Sequence, residues 1–169
     1  ASLEAAITPR TRGIILNTPS NPTGSAYTRD ELAALGEILA RRGVAIISDE
    51  IYEKMVYEGH RHFSIGSFPG MRERTLTING FSKIHAMDGW RLWYVAAPAE
   101  VMSALIRIHQ YTTVCATTFA QWGAVEALTG PRIHEEEMVG EFDRRRSLVY
   151  RSLREIPGME VVKPTGAFY

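Results

Sequence analysis

Short β-branched and apolar runs alternate with longer segments of helical periodicity along this 169-residue chain. This alternation restricts the fold more than any other feature of the sequence. The run 44–50, VAIISDE, stays apolar until it ends in two acids, which predicts a parallel strand covered on both faces. Further strands are predicted at 13–17, 75–79, 92–97 and 159–163. The sequence therefore predicts an α/β fold, with a mainly parallel sheet flanked by helices.

Helix signals fill the stretches between these strands. Thr28 and Glu31 have the spacing of a capping box, and apolar residues at helical spacing follow as far as Arg42. The other predicted helices run from Pro98 to about Gln110, from Phe119 to Leu128 and from Glu135 to Arg154. The last of these is highly charged, with acids early and bases late, which suits a solvated amphipathic helix.

Charge and cysteine content narrow the possible partners. Nineteen basic residues balance nineteen acidic ones, so we expect neither nucleic acid nor a membrane surface as a partner. The apolar runs are too short to cross a bilayer. Cys115 is the single cysteine, which excludes an internal disulfide and suits a reducing, cytoplasmic location, and we expect it to fill core space. Both ends of the sequence are abrupt, so we expect a fragment.

Three polar residues each follow the carboxyl end of a predicted strand. These are Asn21, Asp49 and Lys83. Ligands of open α/β sheets bind at this edge, so the three residues are predicted to face one crevice. Taken singly, each also has an ordinary structural interpretation. Asn21 suits a turn, Asp49 suits a cap of the segment after it, and Lys83 suits a solvated loop.

Four motifs in a fixed order carry a resemblance to a known family. They are NPTG at 21–24, SDEIY at 48–52, GFSK at 80–83 and MDGWRLWY at 87–94. Each is modest alone, but the ordered set resembles the class I/II, fold-type I pyridoxal-phosphate (PLP) aminotransferases. The resemblance implies the PLP-dependent transferase fold. It assigns 1–130 to the carboxyl part of the large PLP-binding domain, and 131–169 to a linking helix and the start of a small α+β domain.

The resemblance assigns the central chemistry to Lys83 and Asp49. Lys83 is expected to form the Schiff base with PLP and to move the proton between the substrate Cα and the cofactor C4′. It must be uncharged to do either, and Arg91 is expected to be its cationic neighbour. Asp49 is expected to pair with the pyridine nitrogen. A carboxylate about 4 Å from that nitrogen stabilises its protonated form by on the order of 4 kcal/mol, at an effective dielectric constant near 20.

The remaining predicted site residues bind and orient the cofactor. The Arg91 guanidinium is expected to grip the phosphate with its planar fork, and Ser82 to assist it. Asn21 and Tyr52 are expected to donate hydrogen bonds to the 3′-oxygen. From the residues alone, a tyrosine such as Tyr52 is more often simply a core aromatic whose hydroxyl is satisfied.

Two positions depart from the family pattern. Many relatives have serine where this chain has Gly80, and glycine where it has Trp93, whose indole is expected to crowd the strand or fill a nearby pocket. The histidines are weak evidence for a functional site. His60 and His62 lack acidic partners at ligand spacing, so we predict a surface loop and no metal site. His85 is close to Lys83 in sequence, but a place in the pocket is the less favoured interpretation.

The resemblance implies an aminotransferase of amino-acid metabolism. Its substrates would be an amino acid and a 2-oxo acid, and the full-length protein would be a homodimer. Two alternatives stay open at this point. One is a carbon–sulfur β-lyase on the same fold. The other is a non-enzymatic effector domain of the aminotransferase-like kind found in some transcriptional regulators.

Overall fold

The structure, a computed structural model, describes residues 2–169 and contains one four-stranded sheet. Its strands are β1 Gly13–Asn17, β2 Ala45–Asp49, β3 Thr75–Gly80 and β4 Trp93–Ala96, in the spatial order β1-β2-β3-β4. The β1–β2 and β2–β3 pairs are parallel, and β4 is antiparallel to β3. The predicted α/β class with a mainly parallel sheet is confirmed.

Five α-helices surround the strands in the described residues. They are α1 Ser2–Ala6, α2 Arg29–Arg42, α3 Ala99–Thr112, α4 Thr118–Thr129 and α5 Ile133–Arg154. Short 3₁₀ turns lie at Ile65–Ser67, Arg72–Arg74 and Asp88–Trp90. The last four α-helices match the predicted ones to within a few residues, whereas α1 was not predicted. Across residues 2–169, none of the helices has both the length and the apolar character that a bilayer span requires.

The main core lies between one face of the sheet and α2. Leu16 of β1 and Ile46 of β2 are buried in one cluster with Leu32 and Leu39 of α2. Successive strand residues point to opposite faces of the sheet, so the residues next to Leu16 and Ile46 point away from this core. Ile47 of β2, on that opposite face, is 38% exposed. The prediction that the 44–50 strand is covered on both faces is therefore wrong for the described residues.

The predicted capping box opens α2. The Thr28 hydroxyl accepts a hydrogen bond from the Glu31 N–H at 3.3 Å, and the Glu31 carboxylate accepts one from the Thr28 N–H at 2.8 Å. Both bonds satisfy backbone donors that have no partner inside the helix. At the other end, Gly43 adopts the left-handed conformation with φ 63°, which ends the helix.

Replacing Thr28 with alanine is expected to lower the free energy of unfolding of the full-length protein by about 1 kcal/mol. The pKa of Glu31 lies below its ordinary value of 4.5, because its carboxylate accepts hydrogen bonds from the Thr28 backbone N–H and, with a smaller effect, from the Thr28 hydroxyl. A lowered folded-state pKa stabilises the protein above pH 4.5, and this stabilisation is lost as the pH falls through the folded-state value. Urea unfolding at several pH values measures the effect. Thr28→Ser keeps the cap, so equal losses in both variants would contradict this assignment.

The carboxyl-terminal segment differs from its prediction. Residues 159–163 form no strand, because no neighbouring strand pairs with them in the described part of the chain. The tail beyond them is fixed by isolated backbone hydrogen bonds instead. The N–H groups of Thr165 and Gly166 donate to the Gly24 carbonyl, and Ala167 N–H donates to the Met55 carbonyl.

A buried arginine joins α5 to this tail. The Arg146 guanidinium donates to the Pro164 carbonyl at 2.9 Å and to the Glu58 carboxylate at 3.1 Å. Its side chain is buried, and a buried charge needs such partners. The predicted domain boundary at residue 130 falls between α4 and α5 and stays a prediction.

Cys115 is exposed, so the prediction that it fills core space is wrong. It lies in the link between α3 and α4, next to Val114, which has a positive φ of 68°. A surface turn between two helices leaves its side chains in contact with solvent.

Candidate functional site

The carboxyl ends of the three parallel strands meet in one row. Asn17 pairs in register with Asp49, and Asp49 pairs with Ile78. A cavity of about 490 Å³ opens at this row. It is lined by Asn17, Asn21, Asp49, Ile51, Tyr52, Ile78, Lys83 and Trp93. Four of the predicted site residues therefore line one cavity, although they come from three separate segments of the chain.

The turn after β1 brings Asn21 to this cavity. Asn17 at the end of the strand accepts a hydrogen bond from the Asn21 N–H on its side-chain oxygen, at 2.7 Å. The Thr18 N–H donates to the Asp49 carbonyl at 3.1 Å, which extends the β1–β2 pairing by one residue. The NPTG turn is thus held against the end of β2.

Asp49 has a structural contact as well as its place in the cavity. Its Oδ1 accepts a hydrogen bond from the Ile51 N–H at 3.3 Å. This is the local capping role that the sequence allowed for a strand-ending acid. The carboxylate is half-buried. The two interpretations of Asp49 are compatible, since one side chain both caps the turn and lines the cavity.

Tyr52 is buried, with a side chain that faces the same cavity. Burial raises the pKa of its hydroxyl, and the nearby Tyr169 hydroxyl raises this pKa further, while the Asn21 side chain acts in the opposite direction. A raised pKa keeps the phenol protonated at neutral pH. Tyr52 therefore retains a proton that it can donate in a hydrogen bond.

Lys83 lies where the chain leaves β3 and turns toward β4. Its Nζ is 3.4 Å from Asp88 Oδ1 and 5.6 Å from the centre of the Phe168 ring. The Lys83 side chain is 26% exposed. The Asp88 carboxylate is thus a charged group in contact with Lys83, and the prediction of Arg91 as its cationic neighbour stays a prediction.

Arg91 and Ser82 lie outside the lining of this cavity. Arg91 adopts the left-handed conformation with φ 54°, which is strained for a residue with a side chain. Its Nη1 donates to the Asp88 carbonyl at 3.2 Å, and no carboxylate pairs with it among residues 2–169. Ser82 Oγ is buried without a hydrogen-bond partner in the described chain.

Two aromatic residues near the site were missed at the level of sequence. Phe168 stacks on Tyr169 with ring centres 4.8 Å apart, and both rings meet Tyr52 edge-on. They reach the site because the tail is bonded to Gly24 and Met55. The signal that could have indicated them is the apolar GAFY ending after a Pro-Thr turn.

His85 lies away from the cavity that contains Lys83. It lines a separate cavity of about 530 Å³, together with residues of α4 and α5. Its Nδ1 is 3.7 Å from a carboxylate oxygen of Glu135. Burial lowers the pKa of its imidazole, while Glu135 acts in the opposite direction.

The prediction that His62 lies in a surface loop without an acidic partner is wrong. Its Nε2 is 2.8 Å from the carboxylate of Glu50, which is buried. Ligand atoms of His62, Glu50 and Glu53 all lie within 4.8 Å of one another. Ser48 and Ser64 donate to the other oxygen of the Glu50 carboxylate. Hydrogen bonds therefore account for the buried charge, and sequence spacing could not show a contact made by folding.

Comparison with known proteins decides the family. The sequence matches the family described as aminotransferase class I and II over residues 1–169. The chain belongs to this family. It is 46% identical over 168 residues to an aspartate aminotransferase of Geobacillus stearothermophilus, and 46% identical over 169 residues to aromatic-amino-acid aminotransferase 2 of Thermococcus litoralis. Each alignment covers 99% of this chain and 43% of the relative.

Solved structures of the family share the fold. An aromatic aminotransferase from Pyrococcus horikoshii superposes with a TM-score of 0.95 at 44% identity, over 98% of this chain and 44% of that chain. The aspartate aminotransferase of Rhizobium meliloti gives 0.95 at 42% identity, over 98% and 42%. The chain thus spans less than half the length of these family members.

Proposed function

We propose that the protein containing this chain is a PLP-dependent aminotransferase, which moves an amino group from an amino acid to a 2-oxo acid. One observation carries the proposal. In a chain of this family, an amine, a carboxylate and a phenol line the same cavity, from Lys83, Asp49 and Tyr52. The relatives reported above are named as aspartate and aromatic-amino-acid aminotransferases, which supports the same reaction class.

The residues at and beside the cavity suit PLP. The Asp49 carboxylate suits a protonated ring nitrogen, and the Tyr52 hydroxyl and Asn21 amide suit an anionic ring oxygen. Ser82 Oγ is a buried hydroxyl without a partner in the described chain, and Arg91 is a guanidinium without a carboxylate partner there. Both are groups that a phosphate binds. When bound, PLP supplies an electron sink for the charge left at the substrate Cα.

Lys83 Nζ is the amine assigned to both covalent attachment and proton transfer. Its Nζ would hold the cofactor covalently, and the freed amine would move the proton that leaves the substrate Cα. The turn closed by the bond from Ala86 N–H to the Lys83 carbonyl fixes the backbone on which this amine is mounted. The Asp88 carboxylate at 3.4 Å limits where the amine points.

Asp49 and Tyr52 act by holding charge and protons in fixed places. The half-buried Asp49 carboxylate would stabilise a proton on the ring nitrogen. Tyr52 keeps its own proton because burial raises its pKa, so it donates to the ring oxygen. Asn21, whose backbone N–H donates to Asn17 Oδ1, would donate from its side-chain amide beside Tyr52.

Three further proposals rest on the family resemblance. We infer that the full-length protein is a homodimer, that it works in the cytoplasm, and that its substrates are an amino acid and a 2-oxo acid. The single cysteine suits a reducing compartment. The balanced charge favours neither a nucleic-acid nor a membrane partner.

Product analysis of the full-length protein tests the reaction class. We expect an amino-acid donor to yield a 2-oxo acid and the amino form of the cofactor. A β-lyase would instead yield ammonia and pyruvate, and a non-enzymatic effector domain would yield no product. The named relatives favour neither alternative. Release of ammonia with each donor molecule consumed would contradict the proposal.

A further inference from the structure

The two positions that depart from the family pattern are partners across one pair of strands. Gly80 ends β3, and Trp93 begins β4 directly opposite it in the antiparallel register. A Cβ atom added at Gly80 would lie 2.4 Å from Cδ1 and 2.9 Å from Cγ of the Trp93 indole. Carbon atoms do not approach so closely. The indole therefore occupies the space that a side chain at position 80 requires.

Space, and not backbone conformation, is what requires glycine here. Gly80 is not among the glycines with positive φ. Its N–H donates to the side chain of Asn79, which is buried, and the strand pairing continues past it through the bond from Phe81 N–H to the Leu92 carbonyl. Gly80 is thus held in a regular strand pair with the Trp93 indole packed against it.

The same indole also contacts Arg91 and the cavity. The Arg91 guanidinium carbon is 4.3 Å from the centre of the Trp93 ring, which is the stacked arrangement of a cation–π contact. Trp93 is 42% exposed and lines the cavity with Asp49 and Lys83. One aromatic ring therefore connects the glycine, the guanidinium and the cavity wall.

Arg91 needs such a support because few other contacts direct its side chain. Its one hydrogen bond goes to the Asp88 carbonyl, and among residues 2–169 no carboxylate pairs with it. Its backbone is held in the left-handed region, at φ 54° and ψ 51°. Without the indole, the long side chain would sample many rotamers, and each would have to be ordered when an anion binds.

We propose that Trp93, seated on Gly80, is a positioning residue that holds the Arg91 guanidinium ready for the phosphate of the cofactor. The inference rests on the proposed function, because it takes the anion to be the PLP phosphate. It goes further in assigning phosphate affinity to a stacking contact at a position where many relatives have glycine. Gly80 and Trp93 then act as one unit, since the indole fits only above a residue without a side chain.

Cofactor binding by the full-length apoenzyme tests this inference. PLP and pyridoxal, which lacks the phosphate, are titrated separately and followed by absorbance. We expect Trp93→Leu to weaken PLP binding about threefold to tenfold more than it weakens pyridoxal binding, because the cation–π contact that it removes supports the guanidinium assigned to the phosphate. Trp93→Phe keeps an aromatic face and is expected to restore most of the PLP affinity.

Two further comparisons separate positioning from general damage. Tyr94→Leu is the matched control, because Tyr94 is the next residue of β4, is 43% exposed and does not line the cavity. It is expected to leave the ratio of PLP to pyridoxal affinity unchanged. Gly80→Ala is expected to lower that ratio with Trp93 present, and to have no further effect in a Trp93→Ala background.

The outcomes distinguish this inference from the proposed function. Failure of the wild-type protein to bind PLP would overturn both. Binding of PLP by the wild type, with equal losses of PLP and pyridoxal affinity in Trp93→Leu, would overturn the positioning role alone. An unchanged PLP affinity in Trp93→Leu would do the same. Should Gly80→Ala fail to fold in a thermal unfolding assay, the Trp93 variants still decide the question.

Discussion

Replacing Lys83 with alanine in the full-length protein is expected to abolish amino-group transfer, with a fall of at least about 10³-fold in rate. In the proposed mechanism this side chain supplies both the covalent attachment and the proton carrier, so no other group would compensate for its loss. The fold is expected to survive. Lys83 is 26% exposed, and its 3.4 Å contact with Asp88 is a partly exposed ion pair of small energetic value. Single-turnover kinetics with an amino-acid donor measure the loss.

Borohydride reduction followed by peptide mapping identifies the attached lysine directly. This chain has three lysines, Lys54, Lys83 and Lys163, so the modified peptide is unambiguous within it. Lys54→Ala is the matched control, because its side chain is 33% exposed and pairs with Glu135 away from the cavity lining. A pyridoxyl group on any other lysine, or transfer by Lys83→Ala at the wild-type rate, would overturn the assignment.

Local chemistry made most of the fold predictable from the sequence. The capping box at Thr28 fixes the start of α2 through neighbouring residues alone, and the β-branched run at 13–17 forms a strand that pairs with β2. The run at 159–163 has the same strand composition, yet it forms no strand because nothing pairs with it in the described residues. Strand propensity describes a fit to a sheet, so the presence of a partner decides the outcome.

The meeting of site residues at one cavity was predictable, because the sheet topology brings them together. Residues that follow parallel strands must meet at one edge, and this brings Asn21, Asp49 and Lys83 together. Contacts that depend on register or on distant loops were not predictable. The packing of Trp93 against Gly80 needs the antiparallel register of β4, and composition does not reveal it.

The same limit explains the missed contacts elsewhere. His62 reaches Glu50 because a loop folds back onto the end of β2, twelve residues away in sequence. Phe168 and Tyr169 reach Tyr52 because backbone bonds hold the tail against Gly24 and Met55. In both cases the contact follows from a loop path, which local sequence patterns do not specify.

Replacing Asp49 with asparagine is expected to lower the rate of amino-group transfer by about 10³-fold while leaving the fold intact. Asparagine has the same shape, and its amide oxygen still accepts the bond from the Ile51 N–H at 3.3 Å. The negative charge is lost. At about 4 Å and an effective dielectric constant near 20, that charge would stabilise a protonated ring nitrogen by on the order of 4 kcal/mol, which corresponds to about three powers of ten in rate.

The comparison of variants separates charge from structure at Asp49. Asp49→Glu keeps the charge but moves it by one methylene group, so we expect activity between that of Asp49→Asn and the wild type. Asp30→Asn changes the net charge equally on the exposed first turn of α2, and is expected to transfer at the wild-type rate. Pre-steady-state rates at saturating PLP remove any difference in cofactor occupancy. If Asp49→Asn then transfers within about threefold of the wild type, the carboxylate does not stabilise the ring proton, since a 4 kcal/mol interaction could not be lost at so small a cost.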